Sequence, residues 1–322
     1  MAHELTINNG IAEMAYVGQK PWHKLGQELQ PGADIETWKI AAGMNWRIQR
    51  SKVRFATQKD GGWQTIDDKH VLFRSDNKQL LGVVSDRFKV VQPTEVLEFF
   101  RDLVGEAGYT LETAGTLFGG KRFWALANTG AVADVIPGDT LKGYLLLSTG
   151  ADGQTKTVVK SVAERVVCHN TIQMALREGG SEYSITHGTN FDHMAAKQHL
   201  GLLGRSFDQC LADCRQLAGQ SITKVDAEEF VGSLLLQTRA VVRDDNDYTQ
   251  AKSYQKIMSL FNSEAIGIEL VGTGNKWNLL NAITQYVDHD AKAANDANRI
   301  DSAWFGRGNV IKNTAFRQLI AA

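Results

Sequence analysis

Apolar and polar positions change their period several times along this chain, and each change predicts an element. Residues 34–43, DIETWKIAAG, have helical spacing, with Asp34 placed to cap the start and Gly43 to stop the end. Strand-like runs follow: WRIQRSKVRF at 46–55, then HVLFRSD and LLGVVSD around a polar DNK turn. PTEVLEFFRDLVGEAG, residues 93–108, returns to a 3.6-residue period, opening on proline and closing on glycine.

From 109 to 167 four strand-like runs come in order: YTLETAGTLF, KRFWALAN after Gly119-Gly120, LKGYLLLST, and QTKTVVKSVAERVV after GADG. Double-glycine and Asp-Gly turns admit positive φ and suit tight hairpins, so an antiparallel meander is expected. NTIQMALREGG then predicts a short helix capped by Asn170 or Thr171 and stopped by Gly179 and Gly180. Beyond 190 the pattern turns helical, through FDHMAAKQHLGLLGRSFDQCLADCRQLAG, AEEFVGSLLLQTRA and YTQAKSYQKIMSLF to the glycine-broken last 50 residues. The expected class is α+β: an antiparallel meander packed by helices over residues 1–190, then a mainly helical region over 191–322 that can pack on the same core.

Composition agrees with a globular chain: 322 residues, 43% apolar, four prolines. No apolar run approaches the roughly 20 residues of a membrane-crossing helix, and MAHELTINNG lacks the layout of a signal peptide, so a cytosolic protein is expected. Cys168, Cys210 and Cys214 cannot all pair and are expected to be reduced thiols. With neither CxxC pairs nor HExxH in the chain, no metal and no cofactor are expected.

ERVVCHNT, residues 164–171, sets side by side the cysteine, histidine and asparagine of a papain-like hydrolase. Neighbours in sequence do not meet: on a strand Cys168 and His169 point to opposite faces, and on a helix they splay by about 100°. Cys168 therefore reads as a small buried residue closing a strand, with His187, His193, His199 and His289 as the partners that a hydrolase would require. VGTGNKW at 271–277, after strand-like AIGIEL, puts Trp277 where a dinucleotide-binding loop needs its third glycine, so a capped helix start is expected. DDNDYTQ at 244–250 departs from a calcium loop at Gln250 and Lys256.

Net charge is formally −1, yet residues 46–59 carry five basic side chains and no acid. In an extended run Arg50, Lys52 and Arg54 share one face, bracketed by Trp46 and Phe55. Lys121 and Arg122 sit beside Phe123 and Trp124 after the double-glycine turn, while Lys156 and Lys160 share a strand face ahead of Arg165. Cations that track phosphates beside aromatic faces that accept bases are the equipment of sequence-independent single-strand binding.

GYLLLSTGADGQTKTVVKSVAERVVCHNTIQMAL, NKWNLLNAITQYVDH and FGRGNVIKNTAF, with MAYVGQKPWHKLG near the start, resemble the phage and plasmid-like protein family built on domain of unknown function 932. Members lie on mobile elements, and the meander followed by a helix is similar in layout to Rad-type single-strand annealing proteins such as Redβ and Erf. The basic and aromatic strand positions together with this layout lead to the expectation of a non-enzymatic protein that binds single-stranded DNA and anneals strands as a homo-oligomer in the cytoplasm of a bacterial host, without membrane association. Its expected phosphate contacts are Arg50, Lys52, Arg54, Lys121, Arg122, Lys156, Lys160 and Arg165, with Trp46 and Trp124 for stacking. The alternatives are a cysteine-dependent hydrolase or transferase centred on Cys168 and a host-interaction protein of a mobile element.

Overall fold

The computed structural model describes residues 6–8, 10–18, 25–57, 61–168, 170–173, 182–189, 192, 203–240, 248–294 and 296–322. The fold is α+β, with antiparallel sheets in the N-terminal half and helices after them. Strands β1 (Ile7–Asn8) and β2 (Ile11–Ala12) form a small hairpin. The main sheet takes in β3 (Met14–Val17), β4 (Gln27–Leu29), β8 (Thr110–Leu117), β9 (Arg122–Ile136), β10 (Asp139–Gly150), β11 (Thr157–Arg165) and β12 (Asn170–Gln173) in the order β12-β11-β10-β9-β8-β3-β4. The expected meander is its middle. Strand β13 (Glu182–Ile185) pairs with the first half of β11 and β12 with the second, so one edge of β11 is covered by two short strands in succession.

Chain contacts group residues into two units: 1–130 with 145–160 and 182–201, and 131–144 with 161–181 and 202–322. In the first, α1 (Ile35–Ala41) is capped by the Asp34 carboxylate, which accepts from the Thr37 amide at 2.7 Å. Helix α2 (Pro93–Ala107) has a reciprocal capping box between Gln92 and Glu95 and exits through Gly108 at φ 69°. The core holds Trp46 edge-on to Phe123, with the Arg74 guanidinium 4.3 Å above the indole. Arg74 is itself buried and makes a two-pronged pair with Glu13 at 2.6 and 2.9 Å. Burial disfavours the Arg74 charge, but the bonds to Glu13 and Asp76 outweigh it, so its pKa is raised.

The second unit packs α3 (Leu203–Ala218), α4 (Lys224–Gln237), α5 (Lys252–Ser259), α6 (Ile268–Val271), α7 (Lys276–Gln285), α8 (Asp296–Trp304) and α9 (Arg307–Ala321). Residues Trp277 to Gln285 of α7 are all buried, which makes it the central helix. Its polar residues are satisfied locally: Asn275 caps the Asn278 amide at 2.8 Å, and Asn278 donates to the Phe261 carbonyl at 2.7 Å. Both α5 and α7 end in π-turns, at Leu260–Glu264 and Tyr286–Asp290.

Two expectations from sequence are corrected. Residues 170–173 are not the start of a helix: Asn170 and Thr171 pair with Arg165 and Glu164 as β12, because the unpaired edge of β11 satisfies their backbone groups, while 174–180 lie outside the described residues. AIGIEL is a turn leading into α6 rather than a strand, since Gly267 at φ 74° breaks any extended run.

Candidate nucleic-acid interface

Strand β5 (Ile48–Ala56) is extended throughout, so alternation puts Arg50, Lys52 and Arg54 on one face. Its partner β6 (Trp63–Arg74) is interrupted where Lys52 faces His70 and Val53 faces Ile66, leaving Asp67, Asp68 and Lys69 in a bulge. Strand β7 (Leu80–Ser85) reaches only Lys69–Phe73 of β6. The outer hairpin, residues 53–56 with 63–66, is thus an arm of two strands. Cross-strand pairing of Ala56 with Trp63 sets the indole on the face of the basic stripe, and Val53, Phe55, Gln64 and Ile66 on the other. Trp63 is 70% exposed and Phe55 48%, so both rings are available to a ligand.

At the base of the stripe Arg50 donates to the Phe88 carbonyl at 2.9 Å and the Ser85 carbonyl at 3.3 Å. Lys52 lies 3.5 Å from Asp67, an exposed pair that solvent screens and a phosphate can displace. Residues 46–90 hold ten basic side chains against five acidic ones, so the field over this sheet is positive although the whole chain is nearly neutral.

Elsewhere the structure divides the expected contacts. Lys121 and Lys156 are exposed. Arg122 is half-buried, donates to the Thr155 hydroxyl at 3.0 Å, and has its pKa lowered by burial against the pull of Asp152. Lys160, Arg165, Trp46 and Trp124 are corrected: all four are at most 3% exposed and do not offer a nucleic acid a surface. The reason for Trp46 is its place under Arg74, with Nε1 donating to the Gly43 carbonyl at 2.7 Å, and for Trp124 its position on central β9. Lys160 and Arg165 lie on β11, whose residues are buried along nearly their whole length, so its alternation does not separate an inner from an outer face. The ring that sequence reasoning missed is Trp63; its signal was the position directly after Gly61-Gly62 at a hairpin tip.

In the second unit the remaining distinctive stretches meet. Asp139 accepts from Arg165 Nε at 2.5 Å and from Trp277 Nε1 at 2.8 Å. The π-turn after α7 aims Asp288 at Lys312, 2.5 Å away, and His289 Nε2 at the Cys168 carbonyl, 2.9 Å away. Cys168 Sγ faces Arg165 Nη1 at 3.5 Å. His289 Nε2 therefore addresses the backbone carbonyl of Cys168, a contact that is not the base-to-nucleophile hydrogen bond of a hydrolase. His187 is engaged by the carbonyls of Lys89 and Thr155, and His169, His193 and His199 lie outside the described residues. Native protein is expected to alkylate at Cys168, 3% exposed, far more slowly than urea-unfolded protein. Rapid labelling with a depressed thiol pKa would restore the hydrolase reading.

Among the described residues no group of three or more His, Cys, Asp or Glu side chains is placed to hold a metal ion, and no helix is long and apolar enough to cross a membrane. The fold and surface thus define an α+β protein that presents a basic, aromatic-tipped β-arm. Residues 80–304, more than half of the chain, match the domain of unknown function DUF932, and the chain belongs to that family. No curated protein and no solved structure matches it. The arm precedes the matched segment, whereas Cys168, Trp277 and Asp288 lie within it.

Proposed function

We propose that this protein binds single-stranded DNA without catalysis and, as a homo-oligomer of a mobile element, anneals complementary strands. The observation that carries the reading is the stripe of Arg50, Lys52 and Arg54 continued by exposed Trp63 on one face of the β5–β6 arm. From Arg50 to Arg54 the stripe runs about 13 Å at roughly 3.3 Å per residue, enough to follow a backbone past successive phosphates. Base stacking on Trp63 needs no particular sequence, because every base has a π-face. The opposite face of the arm, with Val53, Phe55 and Ile66 beside Gln64, is mainly apolar and suits association with a second copy. A two-stranded arm is marginal alone and gains order from either ligand.

The test is fluorescence anisotropy of labelled oligonucleotides over a salt series. Single strands are expected to bind more tightly than duplex, with a salt slope that falls by about 2 in the R50A/K52A/R54A variant, close to 0.7 per lost phosphate contact. Trp63→Ala should weaken binding by about 1–3 kcal/mol and leave the slope nearly unchanged. Unaltered affinity in both variants would remove the arm from the function. Annealing is read separately, from the rate at which complementary strands pair in the presence of protein; no acceleration would leave binding and reject annealing.

A further inference from the structure

The base of the basic stripe ends beside a cavity of about 240 Å³ in the first unit. Three loops wall it: Arg87 and Phe88 after β7, Gly153 to Lys156 between β10 and β11, and Thr186 to Gly188 after β13. Each loop is fixed before any ligand arrives. Asp152 accepts from the amides of Gln154 and Thr155, both at 2.8 Å, and from the Thr155 hydroxyl at 2.8 Å. His187 joins all three: its ring stacks on Phe88 with centroids 4.3 Å apart, Nδ1 lies 2.8 Å from the Lys89 carbonyl, and Nε2 lies 3.0 Å from the Thr155 carbonyl.

Positive groups line this cavity and negative ones do not. Arg87 and Lys156 are in its wall, and no carboxylate is. The acids next to its lining residues in the chain are engaged elsewhere: Asp86 with His70 at 2.9 Å, and Asp152 with its own turn and the field of Arg122. Its volume is below the roughly 300–1,000 Å³ of ordinary small-molecule pockets, which suits a head group rather than a whole extended ligand. A planar guanidinium fork, an ammonium and neighbouring hydroxyls are the donors that three phosphate oxygens accept from. A monoester carries nearly two charges and a backbone diester one, so the monoester gains more from two cations.

We propose that this cavity is a phosphomonoester site, taking the terminal phosphate of a single strand or the phosphate of a free mononucleotide. The strand-end form rests on the single-strand reading of the arm, since Arg50 reaches the Phe88 carbonyl at the cavity rim; the mononucleotide form does not.

The experiment compares oligonucleotides of one sequence bearing a 5′-phosphate, a 3′-phosphate or neither, by anisotropy, and measures the thermal shift given by deoxynucleoside monophosphate. Wild type is set against R87Q/K156Q, both exposed positions whose folding is checked by circular dichroism. One phosphorylated end is expected to bind about tenfold more tightly than the unphosphorylated strand, a difference of about 1.4 kcal/mol, and the variant should abolish that preference together with the mononucleotide shift. Equal affinity of all three strands with no mononucleotide shift overturns the site and leaves the arm standing. A mononucleotide shift that the variant removes, without binding of any strand, supports the site and rejects the single-strand reading. A shift or preference that survives in the variant overturns the assignment to this cavity.

Discussion

Asp139→Ala is expected to cost about 3–5 kcal/mol of unfolding free energy, the usual consequence of stripping one partner from a buried ion pair. Asp139 is fully buried and serves two donors at once, Arg165 Nε and Trp277 Nε1. The other guanidinium nitrogens of Arg165 donate to the carbonyls of Ile266 at 2.8 Å and Gly267 at 3.1 Å, so the cation has nowhere else to turn. Gly267 belongs to the same design: it sits at φ 74°, and a Cβ there would lie 2.8 Å from Arg165 Nη2. Without the carboxylate a guanidinium is left buried with only neutral acceptors, and an indole N–H is left without one. Asp139→Asn keeps an acceptor for one donor and loses the charge, so it should fall between alanine and wild type. Urea denaturation followed by circular dichroism measures all three, with R50A/K52A/R54A as the surface control expected within about 0.5 kcal/mol of wild type. A D139A protein as stable as that control would contradict the buried network. The same logic separates two views of Arg165: a phosphate contact would lose DNA binding at constant stability, whereas this buried residue loses stability first.

Legibility in the sequence follows how local each determinant is. Asp34 before a helical run and Pro93 to Gly108 around another needed only neighbours in the chain, and both helices form where the pattern put them. The basic stripe was legible because β5 has solvent on the face that carries it, so alternation in sequence is alternation in space. On β11 the same alternation misled. Lys160 and Arg165 stand in a strand covered along its edges by β10, β12 and β13, and the acid that compensates Arg165 is 26 residues earlier. No local signal reports such a partner. Asn170 failed for a related reason: a good helix-capping residue was captured by the free edge of β11. The convergence of ERVVCHNT, QYVDH and VIKNT around Cys168, Asp288 and Lys312 was legible as three resembling stretches, but their meeting depends on a π-turn that leaves no mark in composition.

That meeting point carries the other large effect. Lys312 is buried, and burial lowers its pKa despite the favourable charge and hydrogen bond of Asp288. In the window between the lowered folded value and the ordinary 10.5 the unfolded chain binds the proton that the native protein has released. Stability therefore rises with pH through that window, and the penalty for the buried charge is constant below it. The difference in unfolding free energy between wild type and Lys312→Met is expected to shift in favour of wild type as pH climbs, and to level off near 10.5. A difference that stays flat would mean that the ammonium is not desolvated. The two partners should also respond unequally. Asp288 retains the Thr171 amide at 2.8 Å when the lysine is lost, whereas Lys312 without Asp288 keeps only the Thr171 hydroxyl, also at 2.8 Å. Asp288→Ala should thus cost about 3–5 kcal/mol, and adding Lys312→Met to it should recover part of the loss, because methionine fills the space without a charge to solvate. A double variant as unstable as the sum of the two single ones would show that the pair does not interact, and would remove the ion pair from the account of how α9 is held to the π-turn.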